Sequence, residues 1–217
     1  MIKTKYPEVL TGALAAAFIL FTALCKTVDL QAIGPESSVV GFASINGFFR
    51  DLIGTHTFFY VLSEFGGILA IFTALLFAGI GGYQLYQNKD IRKVDKNILL
   101  MGCMYVLILV LYILFDKIPV NYRPVIMDEG LEPSYPSTHT LLAGGIFGCA
   151  LVELRYFPRI RQDIKLKIRL GLIIAMVLTI LFRWLSGVHW FTDILGGILL
   201  SFAVAELYYT LLRYTDK

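Results

Sequence analysis

His189 and Asp193 stand four residues apart in the run Arg183-Trp184-Leu185-Ser186-Gly187-Val188-His189-Trp190-Phe191-Thr192-Asp193. That spacing puts both on one face at the start of a helix. A carboxylate placed there accepts from one imidazole nitrogen, fixes the tautomer and makes the other nitrogen a better nucleophile. Gly187 permits the turn that brings Arg183 back over His189. A second run, Tyr135-Pro136-Ser137-Thr138-His139-Thr140, is a helix-start signal with Ser137 as a good N-cap. Free backbone N–H groups and the positive end of the helix dipole favour an anion at such a place, and His139 lies in the first turn. Upstream, Asp116-Lys117-Ile118-Pro119-Val120-Asn121-Tyr122-Arg123-Pro124 adds two more cations. Guanidinium groups suit bidentate contact with phosphate oxygens. Two imidazoles and three fixed positive charges describe an anion site suited to phosphoryl transfer, whose catalysis is largely positioning and charge stabilisation.

These residues need a frame. Hydrophobic residues make up 57% of the 217-residue chain and charged residues only 16%, against about a quarter charged in soluble domains. A soluble fold of this size could not hide so much apolar surface. Three Cys do not make a disulfide scaffold, and 14% aromatic residues exclude disorder and collagen-like repeats. The chain is therefore expected to be an all-α, polytopic membrane protein. A crossing helix needs about 20 apolar residues. Six stretches qualify, at residues 9–25, 58–83, 98–115, 140–154, 170–185 and 190–212. Lys3 and Lys5 precede the first, as in a signal peptide, but no clean small-x-small cleavage site follows, so this span is expected to be retained. One domain over residues 1–217 is expected, with the motif-bearing half at about 98–212. A short helix is expected at about 43–53 in the long segment after the first span.

With six spans, 14 of the 19 basic residues fall on one side: both termini, the connection holding Lys89 to Lys96 and the connection holding Arg155 to Arg169. The positive-inside rule makes that side, and with it the N- and C-termini, cytoplasmic. Of the five on the other side, Lys26, Arg50, Lys117, Arg123 and Arg183, three fall in the runs above. The site is therefore expected at the extracytoplasmic face of a cell membrane.

The three runs together are similar to the motifs of the type 2 phosphatidic acid phosphatase superfamily: K-x6-R-P, then P-S-G-H, then S-R-x5-H-x3-D. The third motif reads Phe182-Arg183, five residues, His189, three residues, Asp193, with only the leading Ser replaced. The second is Pro136-Ser137-Thr138-His139, with Thr138 for Gly. The first is Lys117, five residues, Arg123-Pro124, one residue short, with Asp116 at the strict Lys position. The match covers about half the chain, and three motifs in order hold two of its three His.

The resemblance implies a membrane lipid phosphatase that needs no metal or other cofactor. His189 would form a phosphohistidine and Asp193 would orient it. His139 would protonate the leaving oxygen and then activate water. Arg123, Arg183, Lys117 and the Ser137 hydroxyl would hold phosphoryl oxygens, with Thr138 able to add a hydrogen bond. Expected partners are a lipid phosphate or diphosphate and the bilayer, with no nucleic acid. Candidate substrates are phosphatidate, phosphatidylglycerophosphate and undecaprenyl diphosphate. The altered Lys and Gly positions motivate an alternative, a catalytically silent relative that binds or transports phospholipid. Vanadate-dependent haloperoxidases share the constellation, but they are soluble and the six spans argue against them.

Other residues read as supporting. Glu64 falls near the outer end of the second span, as a second-shell acceptor or the partner of an outer cation. Tyr122 adjoins Arg123 and is placed to shape the pocket. Asp128, Glu129 and Glu132 read as a polar rim, Trp184 and Trp190 as an interface belt. The three Cys read as small packing residues, and Gly144-Gly145 and Gly196-Gly197 as close helix contacts.

Overall fold

The computed structural model describes residues 6–158 and 160–215, and among these it holds seven α-helices and no named strand. They are α1 (Pro7–Cys25), α2 (Ala43–Ile53), α3 (Thr57–Asn88), α4 (Lys96–Lys117), α5 (Thr138–Glu153), α6 (Gln162–Leu185) and α7 (Phe191–Thr215). Five of them, α1, α3, α4, α6 and α7, are long and apolar enough to cross a membrane. The protein is thus an all-α polytopic membrane protein, with α2 at the expected short helix. The fourth expected span corresponds to α5. Its 16 residues are fewer than a full crossing, and most are buried among the other helices.

Local chemistry sets the helix ends. Pro7 occupies the first turn of α1, where no N–H is needed. The Ser137 side chain caps α5 by accepting from the Thr140 N–H. Two helices outrun their apolar stretches. α6 begins at Gln162, well before residue 170, because Lys165, Lys167 and Arg169 continue it into the polar zone. α3 has 32 residues, about 48 Å of helix against a hydrocarbon core of about 30 Å.

α5 is the central helix and packs against α7, α6, α3 and α4, while α1 lies along α7. Small residues let α5 and α7 approach. A Cβ on Gly144 would fall 2.2 Å from the Ser201 hydroxyl. In a bilayer such contact replaces the hydrophobic driving force between helices. The core runs along this seam through Leu141, Phe147, Val152, Val204 and Tyr208. The outer faces of α1, α3, α4 and α6 expose large apolar side chains, as lipid contact requires. Cys25 and Cys149 are buried packing residues, but Cys103 is exposed on the outside of α4.

The bundle has two distinct ends. Thr11 of α1 and Thr210 of α7 share a hydrogen bond at 2.9 Å, which sets the two ends of the described chain side by side. At the other end, Thr22 of α1 bonds the Tyr135 hydroxyl at 2.8 Å, beside the start of α5. The three motif runs all lie at this second end.

Candidate active site

The site is built from residues 121–123, the start of α5, the last turn of α6 and the turn from α6 into α7, with Ser63 and Glu64 of α3 and Glu132 packed against them. Gly187 makes that turn possible. Its φ of +71° is in the left-handed region, and a Cβ there would lie 1.9 Å from the Gly54 carbonyl oxygen. His56 N–H in turn donates to the Ser186 carbonyl at 3.0 Å, so the loop before α3 closes over the turn.

Asp193 sits in the first turn of α7, wholly removed from solvent. Its Oδ2 accepts from the Trp190 N–H at 2.9 Å, which caps the helix, and its Oδ1 accepts from Asn121 Nδ2 at 3.4 Å. Oδ2 is also 3.5 Å from His189 Nδ1, an ion contact rather than an aligned hydrogen bond, since the buried Nδ1 has no directed partner among the described residues; the carboxylate that starts the helix thus also faces the imidazole. Two further bonds fix the α7 start. Asn46 of α2 accepts from the Thr192 N–H at 3.1 Å and donates to its hydroxyl at 2.9 Å. The Ser137 N–H donates to the Asp193 carbonyl at 2.9 Å, stitching the starts of α5 and α7 together.

His189 is 5% exposed, and its Nε2 lies 3.4 Å from Arg123 Nη1. With Nδ1 turned toward Asp193, Nε2 is the nitrogen aimed at the cationic side. Burial holds the His189 imidazole well below its ordinary pKa, and the positive charges of Arg123, Arg183 and His139 push the same way. His189 is therefore a neutral imidazole near neutral pH.

Arg123 donates to the Val188 carbonyl at 3.4 Å, and its Nε is 3.0 Å from Glu132 Oε2. That pair is an ion contact rather than an aligned hydrogen bond, since the buried Nε has no directed partner. Arg183 is 1% exposed; it donates to Glu64 Oε1 at 2.8 Å and to the Ser63 hydroxyl at 3.3 Å, and its guanidinium lies 5.1 Å over the Tyr60 ring. Glu64 Oε1 is also 3.0 Å from His139 Nε2. One carboxylate of α3 thus joins the Arg of α6 to the imidazole of α5. His139 Nδ1 is buried with no hydrogen-bond partner.

Arg123, His189, Thr138, Glu132, Lys117 and Tyr112 are among the residues lining a polar cavity of about 510 Å3. Lys117 shares this cavity wall, yet its side chain is 75% exposed and its ammonium pairs with Asp116 at 2.9 Å. Tyr122 contributes its backbone: its carbonyl accepts from Trp190 Nε1 at 2.6 Å. Trp190 is consequently buried, not part of an interface belt. Glu132 is more than rim, because it holds Arg123.

Sequence reasoning missed Asn121, Asn46 and Ser63. Asn121 lies inside the first motif run, where its amide was a usable signal. Asn46 and Ser63 carry none, since only the fold brings them near.

A family model described as the PAP2 superfamily matches residues 104–217. A solved structure described as the first transmembrane PAP2-type phosphatidylglycerolphosphate phosphatase, from Bacillus subtilis, is similar in fold, with a TM-score of 0.60. The two chains are 20% identical, over 94% of this chain and 96% of that one. No curated protein matches the chain.

Proposed function

Because this chain belongs to the PAP2 superfamily, we propose that it is an integral membrane phosphatase acting on a lipid phosphomonoester or diphosphate through a phosphohistidine intermediate. The observation that carries this reading is His189 itself: a buried neutral imidazole, backed by Asp193 and facing a guanidinium in a polar cavity. In the first step Nε2 attacks phosphorus and the bond to the leaving oxygen breaks. His139 gives that oxygen a proton. In the second step His139 takes a proton from water, the water oxygen attacks phosphorus, and the P–N bond breaks to release phosphate. Arg123 and Arg183 balance charge on the phosphoryl oxygens. Ser137 and Thr138 stand at the α5 start, where N–H groups favour an anion, and Lys117 would join them on leaving Asp116.

Since Glu64 holds His139 at Nε2, Nδ1 is the nitrogen left for proton transfer. A metal-independent reaction is part of this proposal, because the phosphohistidine mechanism draws its nucleophile and its acid from the two imidazoles. Activity is expected to survive EDTA, and strict dependence on a divalent ion would contradict the mechanism.

The six-span topology, the cytoplasmic termini and the extracytoplasmic site are part of the same proposal, supported by the placement of the basic residues. The lipid tail would stay in the bilayer while the headgroup enters the cavity. The testing experiment is phosphate release by the purified chain from phosphatidate, phosphatidylglycerophosphate and undecaprenyl diphosphate. Release from at least one, lost in His189→Ala, is expected. Equal release by His189→Ala would overturn the reading. A second reading, a silent relative that binds or transports phospholipid, draws on Lys117 pairing with Asp116 outside the cluster. It predicts lipid binding with no phosphate released from any substrate in the panel.

A further inference from the structure

A second cavity, of about 520 Å3, lies away from the site, between α1, α5, α6 and α7. It shares no lining residue with the polar cavity. Its floor is the tight seam of α5 and α7, where Gly144 meets Ser201 and Gly148 meets Ala205. Its walls are Leu10 and Leu14 of α1 and Ile173 and Met176 of α6. α1 lies on α7 while α6 leans on α3 and α5, so the walls stand apart.

The depth is informative. The lining runs from Gly144 of α5 to Arg155 just past its end, and on α6 from Ile180 to Arg169. Each stretch rises about 17 Å, close to half of a hydrocarbon core of about 30 Å. The groove therefore spans one leaflet, the one opposite the candidate active site. The volume falls within the range of about 300–1,000 Å3 of small-ligand pockets.

Two cations mark the end of the groove farthest from the candidate active site. Arg155 and Arg169 line it there. Among the described residues neither has a carboxylate within ion-pair distance. The Arg155 guanidinium rests 5.2 Å over the Tyr209 ring. Glu206, only 8% exposed, lines the same groove, and its Oε1 accepts no hydrogen bond among the described residues. Next in sequence to Ala205, which meets Gly148, it lies deeper in the groove than Arg155.

We propose that this groove binds one anionic glycerophospholipid of the leaflet opposite the active site. Its acyl chain lies between α1 and α6, and its phosphate sits at Arg155 and Arg169. Phosphatidylglycerol has these features. It is a phosphodiester, so its binding is independent of phosphomonoester hydrolysis, and its role here is to stabilise the bundle.

The test is thermal unfolding of the delipidated full chain in detergent, titrated with phosphatidylglycerol or phosphatidylcholine. A ligand that binds only the folded state raises Tm saturably. Phosphatidylglycerol is expected to do so and phosphatidylcholine is not. In Arg155→Gln/Arg169→Gln the half-saturating concentration should rise at least about tenfold, or about 1.4 kcal/mol. Lys165→Gln/Lys167→Gln removes the same charge from the same end of the bundle and should leave the titration unchanged. Ile173→Trp, which fills the groove from an exposed position, should weaken the effect without the Arg changes, and carries the test if the Arg pair variant does not fold. Equal shifts with both lipids, or equal loss in the Lys and Arg pairs, would overturn the proposal.

Discussion

Asp193 has no contact with water, yet it faces a backbone N–H, an Asn amide and an imidazole. An acceptor of two hydrogen bonds that also faces an imidazole cannot be exchanged for an amide without turning an N–H toward a donor. Asp193→Asn should therefore leave KM near wild type and lower kcat by about 10^2–10^4-fold; an unchanged kcat would remove Asp193 from the mechanism. The pH profile follows from His189. Its pKa lies well below the ordinary 6.5, so the reactive neutral form persists into mild acid. The acid limb of kcat/KM should therefore fall below that value. Removing one of the cations that lower it, as in Arg123→Gln, should move the limb to higher pH while reducing the rate. A limb that stays put would show that another group sets it. The same burial makes the folded state lose stability as pH falls below the ordinary imidazole range, since unfolding lets His189 take up a proton. Glu64→Gln should slow turnover most for substrates with poor leaving groups, because it weakens the carboxylate contact on the proton-donating His139. Uniform slowing across leaving groups would mark Glu64 as structural. That His189 and Asp193 face each other was legible because they stand four apart at a helix start. Glu64 was legible only as an odd charge in an apolar span, and its twin contacts with His139 and Arg183 depend on how α3 packs.

At the scale of elements, the α6–α7 turn is the constrained part. Gly187 combines a left-handed φ with a neighbouring carbonyl where a Cβ would fall. Gly187→Ala should destabilise by more than about 1–3 kcal/mol and reduce activity along with Tm. Gly171→Ala, on α6 where a Cβ meets open space, should be neutral or slightly stabilising by helix propensity. Matched Tm values for the two variants would refute the reading of the turn. The apolar runs placed every long helix, but not its ends. Hydropathy marks where the chain enters hydrocarbon, whereas a helix ends where its backbone bonding ends. Lys165, Lys167 and Arg169 belong to α6 and yet lie outside any apolar stretch, which is why α6 begins earlier than its apolar run.

For the whole molecule, the two ends of the described chain meet at one end of the bundle and the polar cavity lies at the other. If the positive-inside rule sets the orientation, a C-terminal tag should be reached by protease only after the membrane is opened. The headgroup of the substrate should be hydrolysed from the outside of intact cells. A tag digested in intact cells would invert the assignment. That the chain is an all-α membrane bundle was readable from composition and apolar runs, because the bilayer permits so few solutions. The groove at the far end was not, because it arises from the angle between helices and not from any one of them.

The carboxylate of α3 lies outside the segment that the family model matches. Severed between α3 and α4, the chain would yield one fragment holding both imidazoles of the proposed mechanism and another holding the carboxylate that contacts one of them. Residues 1–95 and 96–217 made as separate polypeptides would each enter the bilayer without a working centre. Hydrolysis would then report, turnover by turn, how often the two pieces had found each other.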